Sequence, residues 1–300
     1  MQNLKNKKYW IWFSLINKLG VRRKLNLLQI YKNPQRIYNL TKEELLKVEG
    51  IGEEVAKNII ISKNENLLNY HINYMERNNI DIINIEDKDY PLMLKEIYDP
   101  PISLYIKGKR NILNDKNIGI VGCRECSDYG KKAAEYFAYN LSKQNINIVS
   151  GLAKGVDSYA HLGSLATMQE NKCGNFNRDC EKISSCCGKE FNNCGKVINK
   201  CEKIKNDYGK TIAVIGNGLD SIYPKENLEI AKKIIETGGA IISEYPCGTK
   251  PDKMNFPARN RIISGISSGI IVVEAKEKSG TLITVDFALE QGRDVFIVPR

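Results

Sequence analysis

From Asn117 onward, short unbroken apolar runs alternate with longer stretches whose apolar positions recur at helical spacing. NIGIVG, INIVSG, TIAVIG, AIISEYP, GIIVVEA and DVFIVP read as strands. Between them, SDYGKKAAEYFAYNLSKQ (capped by Ser127), GVDSYAHLGSLATM, NLEIAKKIIETG, NFPARNRIISGIS and TLITVDFALEQG read as amphipathic helices. Continuous Ile/Val runs suit strands covered on both faces. The pattern therefore predicts an α/β fold with a mostly parallel, doubly wound sheet, whose ligands lie beyond the carboxyl ends of the strands.

The chain before this region reads differently. Residues 4–85 carry helical spacing throughout. In LTKEELLKVEGIGEEVAKNII, Thr41 and Glu44 have the spacing of a capping box, and Gly50-Ile51-Gly52 makes a tight turn between two helices. This is a helix-hairpin-helix pattern, whose turn N–H groups can hold a phosphate. It equally suits a plain packing hairpin, and Glu53 and Glu54 directly after the turn repel phosphate. Next, DYPLML and DPPISLYIKG suggest a short helix and then an edge strand. The expected division is a helical domain of the SAM/helix-hairpin-helix kind over 1–84 and a core over 85–300.

An insertion interrupts the core at 170–209. Written in sevens it repeats, with cysteines at 173, 180, 187, 194 and 201 and Tyr208 in the sixth place. A helical cysteine stripe could bind a soft metal. The recurring glycines, the missing CxxC pairs and the lack of His instead favour an expanded, flexible, redox-sensitive loop, so no metal is expected.

Length and charge sharpen this picture only in part. The 300 residues, 42% of them hydrophobic, suffice for two cored domains. No apolar run reaches the roughly 18 residues of a membrane span, and WIWFSLI reads as a core helix rather than a signal segment. The expected compartment is the cytosol, with the nine cysteines mostly reduced. The net charge of +10 favours anionic partners. The excess of Lys over Arg, with abundant Asn and Ile, also follows from AT-rich coding, so the placement of the basic residues matters more than their number.

Four turns stand at the predicted strand ends and helix starts: Gly122-Cys123-Arg124, Ser150 to Gly155, Gly216-Asn217-Gly218 and Ser279-Gly280-Thr281. Glycines admit close backbone approach, and helix N-termini favour anions. None of the turns is a GxGxxG followed by an acidic residue, and there is no Walker A, so no nucleotide cofactor is expected. The basic candidates are Arg124, Lys154, Lys250, Lys253, Arg259 and Arg261, with Phe256 three residues after Lys253. A cation beside a ring suits single-stranded nucleic acid, the cation meeting phosphate and the ring stacking on a base. Arg261, inside a helix, reads instead as a structural partner of an acid such as Glu244. His161 and Asp157 sit four apart on a helix, a spacing that serves acid–base work or the ordering of the helix start. His71 is isolated. No catalytic set emerges.

These segments together resemble the DNA-processing protein A family (DprA, also called Smf). The resemblance rests on IVGCRECSDYG, IVSGLAKGVDSYAH, TIAVIGNGLDSIYP, SEYPCGTKP, NFPARNRIISGIS, VVEAKEKSGTLIT and EQGRDVFIVP, preceded by DYPLMLKEIYDPPISLYIKG. It implies an extended Rossmann-like core. It also implies a non-catalytic homodimer that binds single-stranded DNA and brings the RecA recombinase onto it in natural transformation. Carried over by motif, Gly122 and Arg124 form the pocket turn, while Lys253 and Phe256 supply the cation and the stacking ring; Lys154 and Arg259 complete the expected set. Cys123 stands where the family carries Ser or Thr, and the cysteine repeat is not a family feature. The family pattern continues beyond Val298-Pro299-Arg300, so a weakened dimer surface is expected. The rival expectation is an enzyme related to nucleotide phosphoribohydrolases. Those carry a catalytic Glu where EKSGTLIT places Thr284, and a neutral hydroxyl does not stabilise a developing cationic sugar.

Overall fold

The computed structural model of the chain describes residues 4–16, 18–173, 208–276 and 279–299. The cysteine repeat beyond Cys173, with its competing metal and loop readings, lies outside the described residues. Among the described residues, no helix is long and apolar enough to cross a membrane.

The first stretch is helical: α1 (Lys8–Leu15), α2 (Val21–Tyr31), α3 (Pro34–Asn39), α4 (Lys42–Leu46), α5 (Glu53–Ile61) and α6 (Glu65–Arg77). Local chemistry sets these ends. Asn33 accepts from the Arg36 N–H, and Pro34 takes the first helical position, where no N–H is needed. Thr41 and Glu44 form the expected capping box, with Thr41 N–H donating to Glu44 Oε2 at 2.8 Å and Glu44 N–H to Thr41 Oγ1 at 3.3 Å. Gly50 holds φ +80° in the turn between α4 and α5. Arg23 of α2 donates to the Gly50 carbonyl at 2.9 Å, and Lys42 and Lys18 pair with Glu53 and Glu54. The hairpin is thus fastened by its own neighbours.

The sheet has eight strands: β1 (Asp81–Asn84), β2 (Ser103–Gly108), β3 (Asn117–Val121), β4 (Asn147–Ser150), β5 (Thr211–Val214), β6 (Ala240–Ser243), β7 (Gly269–Val272) and β8 (Asp294–Ile297). Their order is β1-β2-β6-β5-β4-β3-β7-β8. The six from β3 to β8 run parallel, as the apolar runs predict. The fold is α/β and Rossmann-like. The helices are α7 (Leu92–Lys95), α8 (Asp128–Lys143), α9 (Val156–Cys173), α10 (Leu228–Glu236), α11 (Asn255–Gly265) and α12 (Gly280–Glu290). Every residue of β4, β5, β6 and β7 is buried, which accounts for their unbroken apolar runs.

Two expectations fail at the other edge. Residues 81–84, inside the stretch expected to be helical, form β1, antiparallel to β2. β2, expected at the edge, lies between β1 and β6. Pro100 and Pro101 precede the strand instead of entering it, so each strand residue keeps its N–H and the strand accepts neighbours on both sides.

The chain lays β3, then β4, β5 and β6 outward on one side, and returns across β3 to lay β7 and β8 on the other. The strand order therefore reverses between β3 and β7. A crevice opens at such a reversal, outside the carboxyl ends of the strands.

Candidate nucleic-acid interface

The turn after β3 begins the site. A Cβ on Gly122 would stand 2.5 Å from the Val156 side chain. Gly155, at φ +77°, places its own missing Cβ 2.3 Å from the Cys123 carbonyl. These glycines let the start of α9 press against the turn and project Arg124 outward. Gly122 thus serves contact between protein segments, a different use from the ligand approach read from the sequence.

The cleft at the reversal point holds about 630 Å³ and is lined in part by Arg124, Lys253, Phe256, Arg259, Lys276 and Tyr223. The exposed Arg124 guanidinium stands 5.8 Å from the centre of the Phe256 ring. On the same ring stacks Tyr223, with centroids 5.6 Å apart and planes at 24°. Gly216 makes room for this pair, since a Cβ there would meet Phe256 at 2.9 Å. Lys253 is exposed and has no ion pair among the described residues. One wall of the cleft therefore carries two stacked rings, and two cations flank them.

Arg259 differs from these. It is 5% exposed, and its Nη1 donates to the carbonyls of Gly151, at 2.7 Å, and Val214. It ties the ends of β4 and β5 to α11 from beneath the cleft. Burial lowers its pKa to about 10, and the charge of Asp157 opposes that fall. Burial likewise raises the Asp157 carboxyl, against the pull of Arg259. Lys154 does not line the cleft; it is exposed and pairs with Glu226 at 2.6 Å. Arg261 grips Glu244 with two bonds of 2.6 Å and reaches Asp99 at 3.1 Å. That is the structural part expected of it.

The His161–Asp157 pair does not form. Asp157 Oδ2 accepts from the N–H groups of Gly151 and Ala153 at 3.2 and 3.3 Å. His161 is fully buried, with Nδ1 2.6 Å from Thr211 Oγ1. Because the Thr211 hydroxyl donates to the Ile148 carbonyl, His161 donates from Nδ1. Its Nε2 has no partner among the described residues, and burial drives its pKa to about 3. Among the described residues, no group of three or more His, Cys, Asp or Glu is arranged to hold a metal.

Sequence reasoning missed Tyr223. Its signal was an aromatic residue directly before Pro224 in the loop after β5, but only the fold reveals that this loop arches back onto Phe256. Glu274 was missed as well. Its carboxylate leaves the end of β7 and accepts from Ser127 N–H at 2.9 Å and Oγ at 3.2 Å, closing the start of α8.

Comparison with known proteins places this arrangement. Residues 81–174 and 201–300 match the family described as DNA recombination-mediator protein A. DNA processing protein DprA of Streptococcus pneumoniae is 35% identical over 92% of this chain and 88% of its own length. Its crystal structure superposes with a TM-score of 0.73 at 32% identity, covering 98% of this chain and 87% of that one. DprA of Bacillus subtilis is 41% identical over 73% of this chain, and the matched region spans only 61% of that relative's length. DprA of Helicobacter pylori, whose structure is described for its single-stranded DNA binding mode, superposes with a TM-score of 0.54 at 25% identity, covering 74% of this chain and 81% of that one.

Proposed function

This chain belongs to the DNA recombination-mediator protein A family, and we propose that it binds single-stranded DNA in the crevice between β3 and β7 without acting on it chemically. The observation that carries this reading is the stack of Tyr223 on Phe256 with Arg124 over the same ring and Lys253 unpaired beside it. Aromatic rings serve any base, because every base has a π-face, and the cations serve the phosphates between bases. Arg124, Lys253 and Phe256 are the contact residues. Gly122 and Arg259 hold the pocket in shape. Lys154 reaches the strand only by leaving Glu226.

A binding role also accords with the carboxylates at this edge. Asp157 and Glu274 both accept from backbone N–H groups, and Thr284 stands where a hydrolase of the rival class needs an acid. From the family resemblance we further propose that the protein acts in the cytosol as a homodimer, delivering the bound strand to RecA in recombination and transformation.

Fluorescence anisotropy with labelled oligo-dT and a matching duplex tests the reading. The expected result is preference for the single strand, with the logarithm of affinity falling by about 0.7 per phosphate contact per log unit of salt. Lys253→Ala should weaken every sequence alike and flatten that slope, and Phe256→Ala should cost about 1–3 kcal/mol. Equal affinity for strand and duplex, or no effect of either substitution, overturns the assignment.

A further inference from the structure

Helix N-termini at this edge of the sheet are natural anion seats, because their first N–H groups have no partner within the helix. At several of them the chain's own carboxylates already take backbone N–H groups at or just before the helix start. Glu274 closes α8 through Ser127. Asp157 takes the N–H groups of Gly151 and Ala153 ahead of α9. Asp252 takes the N–H of Met254, the residue that caps α11, at 2.8 Å.

The start of α12 is different. Its capping residue, Ser279, makes no side-chain capping bond, as at α10 and α11, but here the Oγ is buried with no partner among the described residues. Gly280 has open space where a Cβ would be. Thr281 is 6% exposed and Thr284 2%; both line the cleft, and neither hydroxyl hydrogen-bonds any described residue. Buried hydroxyls are normally satisfied, so a sealed Ser279 Oγ beside two nearly buried threonines that make no hydrogen bond to a described residue marks a place for an acceptor from outside. The ligand is anionic by the same logic: the helix dipole and the orphan N–H groups favour negative charge, and Arg124 and Lys276 line the same cleft.

We propose that the first turn of α12, through Ser279, Gly280, Thr281 and Thr284, seats one backbone phosphate of the bound strand. This rests on the single-strand reading of the cleft. The seat and the stack of rings line the same cleft, so one phosphate held here fixes the strand against the rings.

The test fills this helix start with a carboxylate, as Glu274 fills that of α8. Thr281→Asp places a carboxylate in the first turn, where it suits the helix dipole. The melting temperature should stay level or rise, while oligo-dT affinity falls by about tenfold or more. Thr284→Val, nearly isosteric, should weaken binding in the same sense without unfolding the protein. In the wild type, the Gly280 and Thr281 amide resonances should move on addition of oligo-dT and of inorganic phosphate, but not with an oligomer of neutral methylphosphonate linkages.

If oligo-dT binds but leaves those resonances in place, or binds Thr281→Asp as tightly as wild type, the seat is wrong while the single-strand reading stands. If oligo-dT fails to bind yet phosphate moves the resonances, the seat stands for a smaller phosphate ligand and the strand reading falls. If oligo-dT fails to bind and phosphate leaves the resonances in place, both fall.

Discussion

Arg124 and Arg259 border one cleft, yet their surroundings give them different work. Arg124 is exposed at a turn with a ring beneath it, whereas Arg259 spends its donors on carbonyls at the ends of two strands. Nothing in the residue type separates them; burial does. His161 makes the same point through pH. Its pKa near 3 in the fold lies below its ordinary value of 6.5. Below pH 6.5 the unfolded chain takes up a proton that the folded chain refuses, so stability drops as pH falls toward 3 by about 1.4 kcal/mol per pH unit. Asp157, raised by burial, acts in the opposite sense, so the histidine contribution is read from a difference. Urea melts at pH 7 and pH 5 should show wild type losing about 2 kcal/mol more than His161→Asn, whose amide keeps the Thr211 bond but does not titrate. Equal losses would remove the histidine from the account. The sequence raised His161 only as a partner for Asp157. Four residues along a helix brings two side chains to one face, but the sheet beneath drew the imidazole to Thr211 and the carboxylate to the turn.

At the scale of elements, the helix starts carry the legible information. Ser127, Thr41 and Glu44 announce their caps because capping is a contact within four residues. β1 was not legible, because a strand of four residues beside a helical region has no periodicity of its own and exists only through its ladder with β2. The brace between α11 and β6 lies between these cases. Arg261 is 5% exposed and holds both oxygens of Glu244, so removing the carboxylate leaves a buried cation without its partner. Glu244→Ala should therefore destabilise the protein by about 3–5 kcal/mol in denaturant melts. A loss below 1 kcal/mol would mean that Asp99 alone suffices to hold the guanidinium.

Over the whole molecule, one continuous buried cluster runs from Leu4 and Trp12 through Ile82 and Leu104 to Ile242 and Ala288. Polar ties cross the division near residue 84: Lys7 pairs with Asp87, Ser14 hydrogen-bonds Tyr105, and Arg22 lies over the Tyr98 ring at 3.8 Å. The expected division near residue 84 thus becomes a thermodynamic proposal: the helical segment and the sheet melt as one unit. Calorimetry should give a single transition with equal calorimetric and van't Hoff enthalpies. Two resolved transitions would restore two independent domains.

Pattern alone determined the six parallel strands, the helices between them and the sheet edge at which the cleft opens. Burial on both faces demands unbroken apolar runs, and helix packing demands a repeating stripe, so these features are written locally. The motifs in their order also identified the family. Tertiary structure decided what each polar residue in those turns does. It brought Tyr223 onto Phe256, sank Arg259 beneath the cleft, paired Lys154 with Glu226, closed the start of α8 with Glu274, and turned Asp157 onto the turn after β4. Those outcomes depend on which strand lies beside which, and the reversal at β3 and β7 that sets them joins residues about 150 positions apart along the chain.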